Sequence, residues 1–295
     1  KKILKAKFWC GLNKKQFVNH KNLYEDLNTK ASFVMNTNLA EASVTLLKNE
    51  NSILPLQRLD TLKIIEVSIG DSNENLFSTT INKYSKIEHL GIDHDASKKE
   101  RDSLLSKIKN YNLVILQINK TSYKPEKDFG CSEGSMDVIS KICEQKNTIA
   151  CLFSNPYLIN KLTNINNSQA IIEVYENNQF SQKAAADAIM GAITINGSLP
   201  VSTNLFKAGT GIEIKNSIRV QYVTPEQVGI NSTKLLQVDS IAKIGIKENA
   251  YPLSVHVLLF IDDPNLNNYV LGRGHESDLR ISDISVSRSH ARIFY

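Results

Sequence analysis

Serine chemistry is the first possibility that this sequence raises, because Ser72 follows a run of apolar and β-branched residues at the point where a strand would end. Such a serine becomes an acyl-transfer nucleophile only when a histidine takes its proton and an acid orients that histidine. The nearest candidates are His89, His94 and Asp93, and no histidine occurs between His94 and His256. A catalytic triad would therefore need an unusual arrangement. We expect instead that Ser72, or the aspartate before it, caps the following helix.

A second serine motif, Ser240-Ile241-Ala242-Lys243, fits the Ser-x-x-Lys spacing of one class of serine hydrolases. The same spacing occurs at Ser106-Lys107-Ile108-Lys109, within a pattern typical of an ordinary surface helix. The spacing alone therefore does not indicate catalysis. We expect Ser240 to lie in a connecting helix without a chemical role.

Composition excludes several other functions. The net charge of +5 comes from lysines and arginines scattered along the sequence, without the basic cluster that nucleic-acid binding needs. No apolar run approaches the roughly 20 residues that span a bilayer, so we expect no membrane partner. The cysteines form no Cys-x-x-Cys pair and have no histidine at ligand spacing, which predicts reduced thiols, no metal site and no cofactor. They are Cys10, Cys131, Cys143 and Cys151.

The elements that would position these residues follow an α/β pattern. Between residues 61 and 203, short β-branched runs alternate with longer segments of helical spacing, as in βαβ units. The predicted strands are 63–69, 86–91, 113–118, 148–154, 170–175 and a short 198–202. The predicted helices are 73–84, 97–110, 134–145, 156–164 and 179–193. The sequence therefore predicts an α/β fold, a doubly wound, mainly parallel six-stranded sandwich.

Further elements flank this unit. Residues 38–48 have the spacing of an amphipathic helix, and the glycine-containing segment 204–228 suits a linker. A helical connector follows, which Asn231 or Ser232 would cap. From Leu253 onward the pattern becomes strand-like, which predicts an incomplete β segment at the C-terminus.

Residues 40–56 closely resemble the entry to the C-terminal domain of family-three glycoside hydrolases. Further similarities follow in family order at 153–158, 184–192 and 196–202. Residues 1–30 resemble the last helix of the catalytic barrel and the linker after it. The bacterial β-N-acetylglucosaminidase-like branch is the most similar. The resemblance implies a non-catalytic domain that packs against a barrel, present as a domain or as another chain, and walls the sugar cleft.

The same resemblance argues against independent catalysis. In that family the nucleophilic aspartate lies in the N-terminal barrel, and so does the histidine-aspartate acid/base arrangement of the N-acetylglucosaminidase branch. Glycoside hydrolysis needs two carboxyl groups about 5 to 9.5 Å apart, so we expect this chain alone to be inactive. Some β-glucosidases of the family supply an acid/base glutamate from the loop after the third strand, where Glu126 and Glu133 lie here. The alternative is that both are surface acids.

A different family resemblance ends the sequence. Residues 271–293 are similar to the core signature of a forkhead-associated domain, a β-sandwich that binds phosphothreonine peptides. The resemblance implies that Arg273 offers its planar guanidinium to the phosphate, that Ser287 adds a hydroxyl donor and that His290 holds the loop. About half of such a domain and its later Asn-Gly loop are missing. A truncated phosphopeptide-binding module is therefore the alternative function.

These similarities divide the chain into four predicted parts. They are 1–37 (last barrel helix and linker), 38–206 (α/β sandwich), 207–252 (linker and helix) and 253–295 (partial forkhead-associated segment). Residues 219–252 also resemble the linker and first helix of a serine β-lactamase-like domain that follows such glycosidases in some bacteria. The glycosidase part implies export to the periplasm, whereas forkhead-associated domains work inside cells. This conflict indicates a gene fusion or an assembly join near residues 252–262.

Overall fold

A computed structural model describes residues 1–15, 17, 20–144, 147–248, 268–272, 279–280 and 291–294. The described helices are α1 (Lys2–Trp9), α2 (Leu23–Leu27), α3 (Lys30–Ser43), α4 (Leu76–Asn82), α5 (Lys98–Ile108), α6 (Glu133–Cys143), α7 (Gln179–Met190) and α8 (Ser232–Lys247). The strands are β1 (Thr45–Asn49), β2 (Ile64–Ile69), β3 (Glu88–Ile92), β4 (Leu113–Ile118), β5 (Thr148–Leu152), β6 (Ala170–Glu173), β7 (Asn268–Gly272), β8 (Leu279–Arg280) and β9 (Ala291–Phe294). Short 3-10 helices occupy Glu50–Ser52, Pro125–Gly130, Pro156–Asn160, Ile165–Asn167 and Pro225–Val228.

One six-stranded sheet organises the protein, in the order β1-β6-β5-β4-β2-β3. Strands β2 to β6 run parallel, and β1 pairs antiparallel with β6. Strands β2, β4, β5 and β6 are buried along their whole length, as expected for parallel strands covered by helices on both faces. The predicted α/β fold with a mainly parallel six-stranded sheet is confirmed.

The two faces of the sheet have separate hydrophobic cores. Helices α3, α4 and α7 cover one face, and α5 and α6 cover the other. Successive strand residues alternate between them, so that Ile64 packs with the first group and Ile65 with the second. On the first face, the rings of Phe77 and Phe153 meet edge to face with centroids 5.7 Å apart. Each face is therefore a closed core of its own.

Three predicted elements were wrong. The helix predicted over 38–48 ends at Ser43, and residues 45–49 form β1. The strand predicted over 198–202 is not a strand: Pro200 has no N–H to donate, and the Leu199 amide donates instead to Thr210 O at 2.8 Å. The sheet therefore has six strands as predicted, but the sixth is β1, which precedes the βαβ unit in the sequence, and not the segment 198–202 that follows it. The helix predicted over 156–164 is two short 3-10 helices.

The segment predicted as a linker is attached to the sandwich. The amide of Ile212 donates to Leu46 O at 2.8 Å, and that of Ile218 donates to Gly191 O at 2.7 Å. The guanidinium of Arg219 donates to three backbone carbonyls of the sandwich. We call residues 207–222 the strap. The predicted division of the chain at residue 206 stays a prediction.

The remaining described elements follow the strap. The connecting helix α8 begins as predicted, with Asn231 Oδ1 accepting from the amide of Thr233 at 2.9 Å. Strands β8, β7 and β9 form a separate three-stranded sheet. Among the described helices, none has the length and apolar character required for a bilayer crossing.

Candidate functional site

The strand order reverses direction between β2 and β4. The chain moves outward from β2 to β3 on one side of this point and from β4 to β5 and β6 on the other. Ligands of open α/β sheets bind beyond the carboxyl ends of the strands at such a switch point. The loops there carry Asp71 and Ser72 after β2, His94 after β3, and Lys120 after β4.

The candidate serine triad is not assembled at this edge. Ser72 Oγ donates to Asp93 Oδ2 at 3.3 Å, and the Ser72 amide donates to Asp93 Oδ1 at 3.2 Å. His94 is turned away, with Nε2 2.8 Å from Asn119 O and Nδ1 3.2 Å from Ser135 Oγ. Burial lowers the pKa of His94 below its ordinary value, although its hydrogen bond to Asn119 opposes this. His94 therefore joins loops of the sheet edge as a neutral side chain.

The turn after β2 depends on glycine rather than on a nucleophile. Gly70 has a φ of +106°, and a Cβ there would lie 2.2 Å from Asn119 O. The side chain predicted to cap the next helix was wrong: Asn75 caps α4, with Oδ1 accepting from the amides of Phe77 at 3.0 Å and Ser78 at 3.2 Å. Of the two predicted caps, Ser72 bonds Asp93 and the neighbouring aspartate forms an ion pair with a lysine.

Beneath the switch point lies a buried polar network that the sequence analysis missed. Glu66 Oε2 is 3.0 Å from His89 Nδ1, and Glu66 Oε1 accepts from the amide of Gln117. Gln117 Oε1 accepts in turn from the side-chain amide groups of two asparagines, Asn75 Nδ2 at 3.0 Å and Asn119 Nδ2 at 3.1 Å. Burial lowers the pKa of His89, but the hydrogen bond and charge of Glu66 outweigh it, so the pKa is raised overall. The signal in the sequence was polar residues inside otherwise apolar strands.

Two further carboxylates are buried in the sandwich. Asp187 accepts from Tyr84 at 2.7 Å, from Lys183 at 2.6 Å and from Gln221 of the strap at 3.1 Å. Burial raises the pKa of Glu173 well above its ordinary value, opposed by a hydrogen bond from the amide of Tyr175. Asp187 therefore links α7 to the strap, and both carboxylates are fully buried rather than open to a cleft.

The predicted acid/base candidates lie on the surface. Glu126 is exposed in the 3-10 helix after β4, and Glu133 is exposed at the first residue of α6. The loop between them is anchored by the buried ring of Phe129 and by an ion pair between Asp128 and Lys161 at 2.9 Å. No interaction of either carboxylate marks it for catalysis, and a catalytic role for Glu126 or Glu133 stays a prediction.

A cavity of 530 Å³ opens beside this loop, at the carboxyl ends of β4, β5 and β6. Its walls carry the amide side chains Asn155 and Asn177 and the carboxylate Glu176. Tyr123 stands at its edge with 79% of its surface exposed, and Tyr175 lines it from the loop after β6. Aromatic rings beside amides and a carboxylate suit a polyhydroxylated ligand, because rings cover apolar sugar faces and the polar groups bind hydroxyls. Sequence reasoning did not find these residues, since they come from three separate loops.

The phosphopeptide candidates Arg273, Ser287 and His290 lie outside the described residues. Within the described ranges, no three histidine, cysteine or acidic side chains group as metal ligands would. None of the four cysteines, all of which lie within the described ranges, forms a disulfide: Cys131, Cys143 and Cys151 are buried, and Cys10 is exposed.

Comparison with known families decides the origin of the sandwich. Residues 44–229 match the glycosyl hydrolase family 3 C-terminal domain. The chain belongs to this family. The match runs past residue 206 and includes the strap. A second match, to the forkhead-associated (FHA) domain, covers residues 269–295.

Relatives share this domain at low identity. A putative β-xylosidase from Formosa agariphila is 24% identical over 227 residues, which cover 68% of this chain and 30% of that protein. A family 3 β-N-acetylglucosaminidase from Paenibacillus sp. has a similar structure, with a TM-score of 0.51, 17% identity, and coverage of 69% of this chain and 38% of that one. This chain thus spans about a third of the length of the proteins that it matches, and the structural likeness confirms the fold.

Proposed function

We propose that the sandwich is an accessory, non-catalytic domain that packs against the catalytic barrel of a family 3 glycoside hydrolase. The observation that carries the proposal is the apolar surface of the helices before the sandwich. On α1, Leu4 is 71% exposed, Phe8 68% and Trp9 88%. On α3, Met35 is 63% and Leu39 62% exposed. Several large apolar side chains exposed on one helix are typical of a surface that another domain covers.

The distribution of carboxylates supports an accessory role. A glycosidase holds one carboxyl group on each side of the scissile bond. Here the buried acids Glu66 and Asp187 are bonded to core side chains, and Glu126 and Glu133 stand in solvent. The chemistry would therefore come from the barrel. The cavity beside Tyr123 would form part of the wall of the sugar cleft.

For the substrate of the complete enzyme, we propose only a class of sugar. The relatives' names refer to β-xylosides and β-N-acetylglucosaminides, and we propose a β-linked pyranoside of this group. We also propose that residues 219–252 are similar to the linker and first helix of a serine β-lactamase-like domain.

Hydrolysis by the chain alone tests the first part of the proposal. We expect no release of nitrophenol from nitrophenyl N-acetyl-β-glucosaminide, β-glucoside or β-xyloside above the rate of a buffer blank. Turnover that survives purification and falls in Glu126→Gln or Glu133→Gln would overturn the accessory role, because the acid/base group would then act without the barrel.

The fluorescence of Trp9, the single tryptophan of the chain, tests whether the apolar surface of α1 is uncovered in the isolated chain. Because Trp9 is 88% exposed, we expect acrylamide to quench its fluorescence as fully as that of free tryptophan amide. If the Trp9 indole of the isolated chain were protected from acrylamide, the α1 surface would already be covered and would not be available to contact a barrel. The Val220→Trp substitution in a Trp9→Phe background is a matched control, because Val220 is 88% exposed on the strap.

A second candidate function is favoured by the match of residues 269–295 to the FHA domain. We propose that Arg273 and Ser287 bind phosphothreonine, with His290 holding the loop. Titration with a phosphothreonine peptide tests this: saturable binding that Arg273→Ala removes supports it. Equal binding by the unphosphorylated peptide, or no binding, contradicts it.

A further inference from the structure

Strand β3 forms one edge of the six-stranded sheet. In the strand order it stands last, next to β2 alone among the described strands. Ile92 O accepts from the amide of Gly70, so Ile92, and by alternation Leu90, direct their backbone groups toward β2. The N–H and C=O groups of His89 and Gly91 therefore point toward the free edge. A strand placed there would complete a seventh position of the sheet.

A groove of 590 Å³ runs along this edge, between β3 and α5. Its floor is apolar: Leu90 and Ile92 are partly buried on this face, and Leu104 of α5 is buried beneath them. The exposed side chains of Lys99, Ser103 and Lys107 form its outer wall. The groove thus combines an unpaired backbone edge with an apolar strip and a row of polar side chains.

The charges beside the groove differ in whether they already have partners. Three carboxylates are engaged: Glu100 accepts from the Ser97 amide at 2.7 Å in the cap of α5, Asp93 accepts from Ser72, and Glu88 accepts from the hydroxyl of a tyrosine. The ammonium groups of Lys99 and Lys107 form no ion pair with the described residues. Lys99 and Lys107 are therefore the charged side chains of the groove lining for which the described residues supply no partner.

The spacing of these lysines specifies a pattern. Lys99 and Lys107 are eight residues apart on α5, which is about 12 Å at the rise of an α-helix. A strand covers that distance in about four residues, and residues two and four apart lie on the same face. An acid at each end would meet the two lysines. An apolar residue midway would lie over Leu90 and Ile92.

We propose that the β3 edge binds an extended protein segment with the pattern acid-x-apolar-x-acid, which adds to the sheet as a further strand. Main-chain hydrogen bonds to His89 and Gly91 supply affinity, and the groove supplies specificity, as in other cases of strand addition. Antiparallel pairing of two copies through β3 is disfavoured. It would place α5 of both copies on one face, with the lysines of each opposite those of the other.

The probe is a fluorescent peptide with the blocked sequence Thr-Glu-Thr-Ile-Thr-Glu-Thr, titrated into the full chain at low salt. We expect saturable binding, with increased protection from hydrogen exchange at the amides of His89 and Gly91. In the double variant Lys99→Glu, Lys107→Glu the affinity should fall at least about fivefold, the effect of roughly 1 kcal/mol of lost surface charge pairing. The control Lys109→Glu, Lys207→Glu makes the same charge change outside the groove and should alter affinity less than twofold.

Two further measurements decide between modes of binding. One peptide carries N-methyl groups on its threonine amides, and another carries them on its glutamate and isoleucine amides. Alternate amides of a strand face opposite edges. If the peptide adds as a strand, only one of the two methylated peptides should therefore lose binding. Equal binding by both, or peptide binding without protection in β3, would overturn strand addition. Sedimentation without peptide should show a monomer. A dimer that protects the same amides would replace the proposed segment by a second copy, and no binding at millimolar peptide would refute the site.

Discussion

The buried pair of Glu66 and His89 makes the sharpest prediction about stability. The two side chains are 3% and 8% exposed, with Glu66 Oε2 3.0 Å from His89 Nδ1. In Glu66→Gln, the new amide must keep its oxygen toward Gln117 and turn its NH2 toward His89. Nδ1 then has to be the unprotonated nitrogen, so the folded variant cannot hold a charged imidazole there. The substitution removes the ion pair and leaves the shape of the network unchanged.

The sign of the pH dependence follows from the pKa of His89. Glu66 raises that pKa above the ordinary value of 6.5 in the folded protein, more than burial lowers it. The pair therefore contributes its full stability below about pH 6.5 and loses it as the pH rises through the folded pKa. Removing one partner of a buried pair costs about 3–5 kcal/mol. We expect Glu66→Gln to lose about this much near pH 5.5 and progressively less toward pH 9.

Urea unfolding followed by far-ultraviolet circular dichroism measures this. Tryptophan fluorescence would not, because Trp9 is 88% exposed on α1, outside the core. Asp137→Asn is the control: its ion pair with Lys141 is half exposed to solvent, so its loss should have a much smaller effect on stability, and the same effect at every pH in this range. A deficit of Glu66→Gln that stays constant with pH, or grows toward pH 9, would refute the reasoning.

The other predictions concern the thiols and the strap. Burial raises the pKa of Cys131 and of Cys143 to about 11 and raises that of Cys151 further, so a disulfide reagent should label the exposed Cys10 of the folded chain at once and the other three only on unfolding. Rapid labelling of a second thiol would contradict the packing of the sheet. Arg219→Ala removes a guanidinium that binds three carbonyls and should cost about 2–3 kcal/mol. Limited proteolysis should then cut within 207–222, whereas the exposed substitution Val220→Ala should change neither stability nor cleavage.

How much of the fold could be predicted depended on whether the deciding contacts were local. The parallel strands were recognisable because each is a short apolar run bounded by turn residues. Strand β1 was not, because Ala40 and Val44 continue a helical spacing into it and nothing nearby marks the change at Ser43. Its partner lies far away, with Thr45 opposite Glu173 in β6. Antiparallel pairing over such a separation has no local signature.

The candidate site shows the same limit. Glu66 and Gln117 are visible in the sequence as polar residues within apolar strands, but their connection depends on the parallel register that places Glu66 beside His89. The apparent serine site failed for the converse reason. Ser72, Asp93 and His94 are close enough to suggest a triad, yet the histidine ring is bonded to Asn119 and leaves the serine with the carboxylate alone.

The arrangement of acids fits the accessory role proposed for this domain. A glycosidase acid must combine a perturbed environment with access to the glycosidic oxygen. In the described sandwich, burial raises the pKa of Glu173 but also removes it from any cleft, whereas Glu126 and Glu133 are exposed to water. Only a second surface placed over the loop after β4 would give one of the latter both properties. Under the proposed accessory role, the barrel would supply this second surface, and the exposed apolar side chains of α1 and of α3 would be available to contact it.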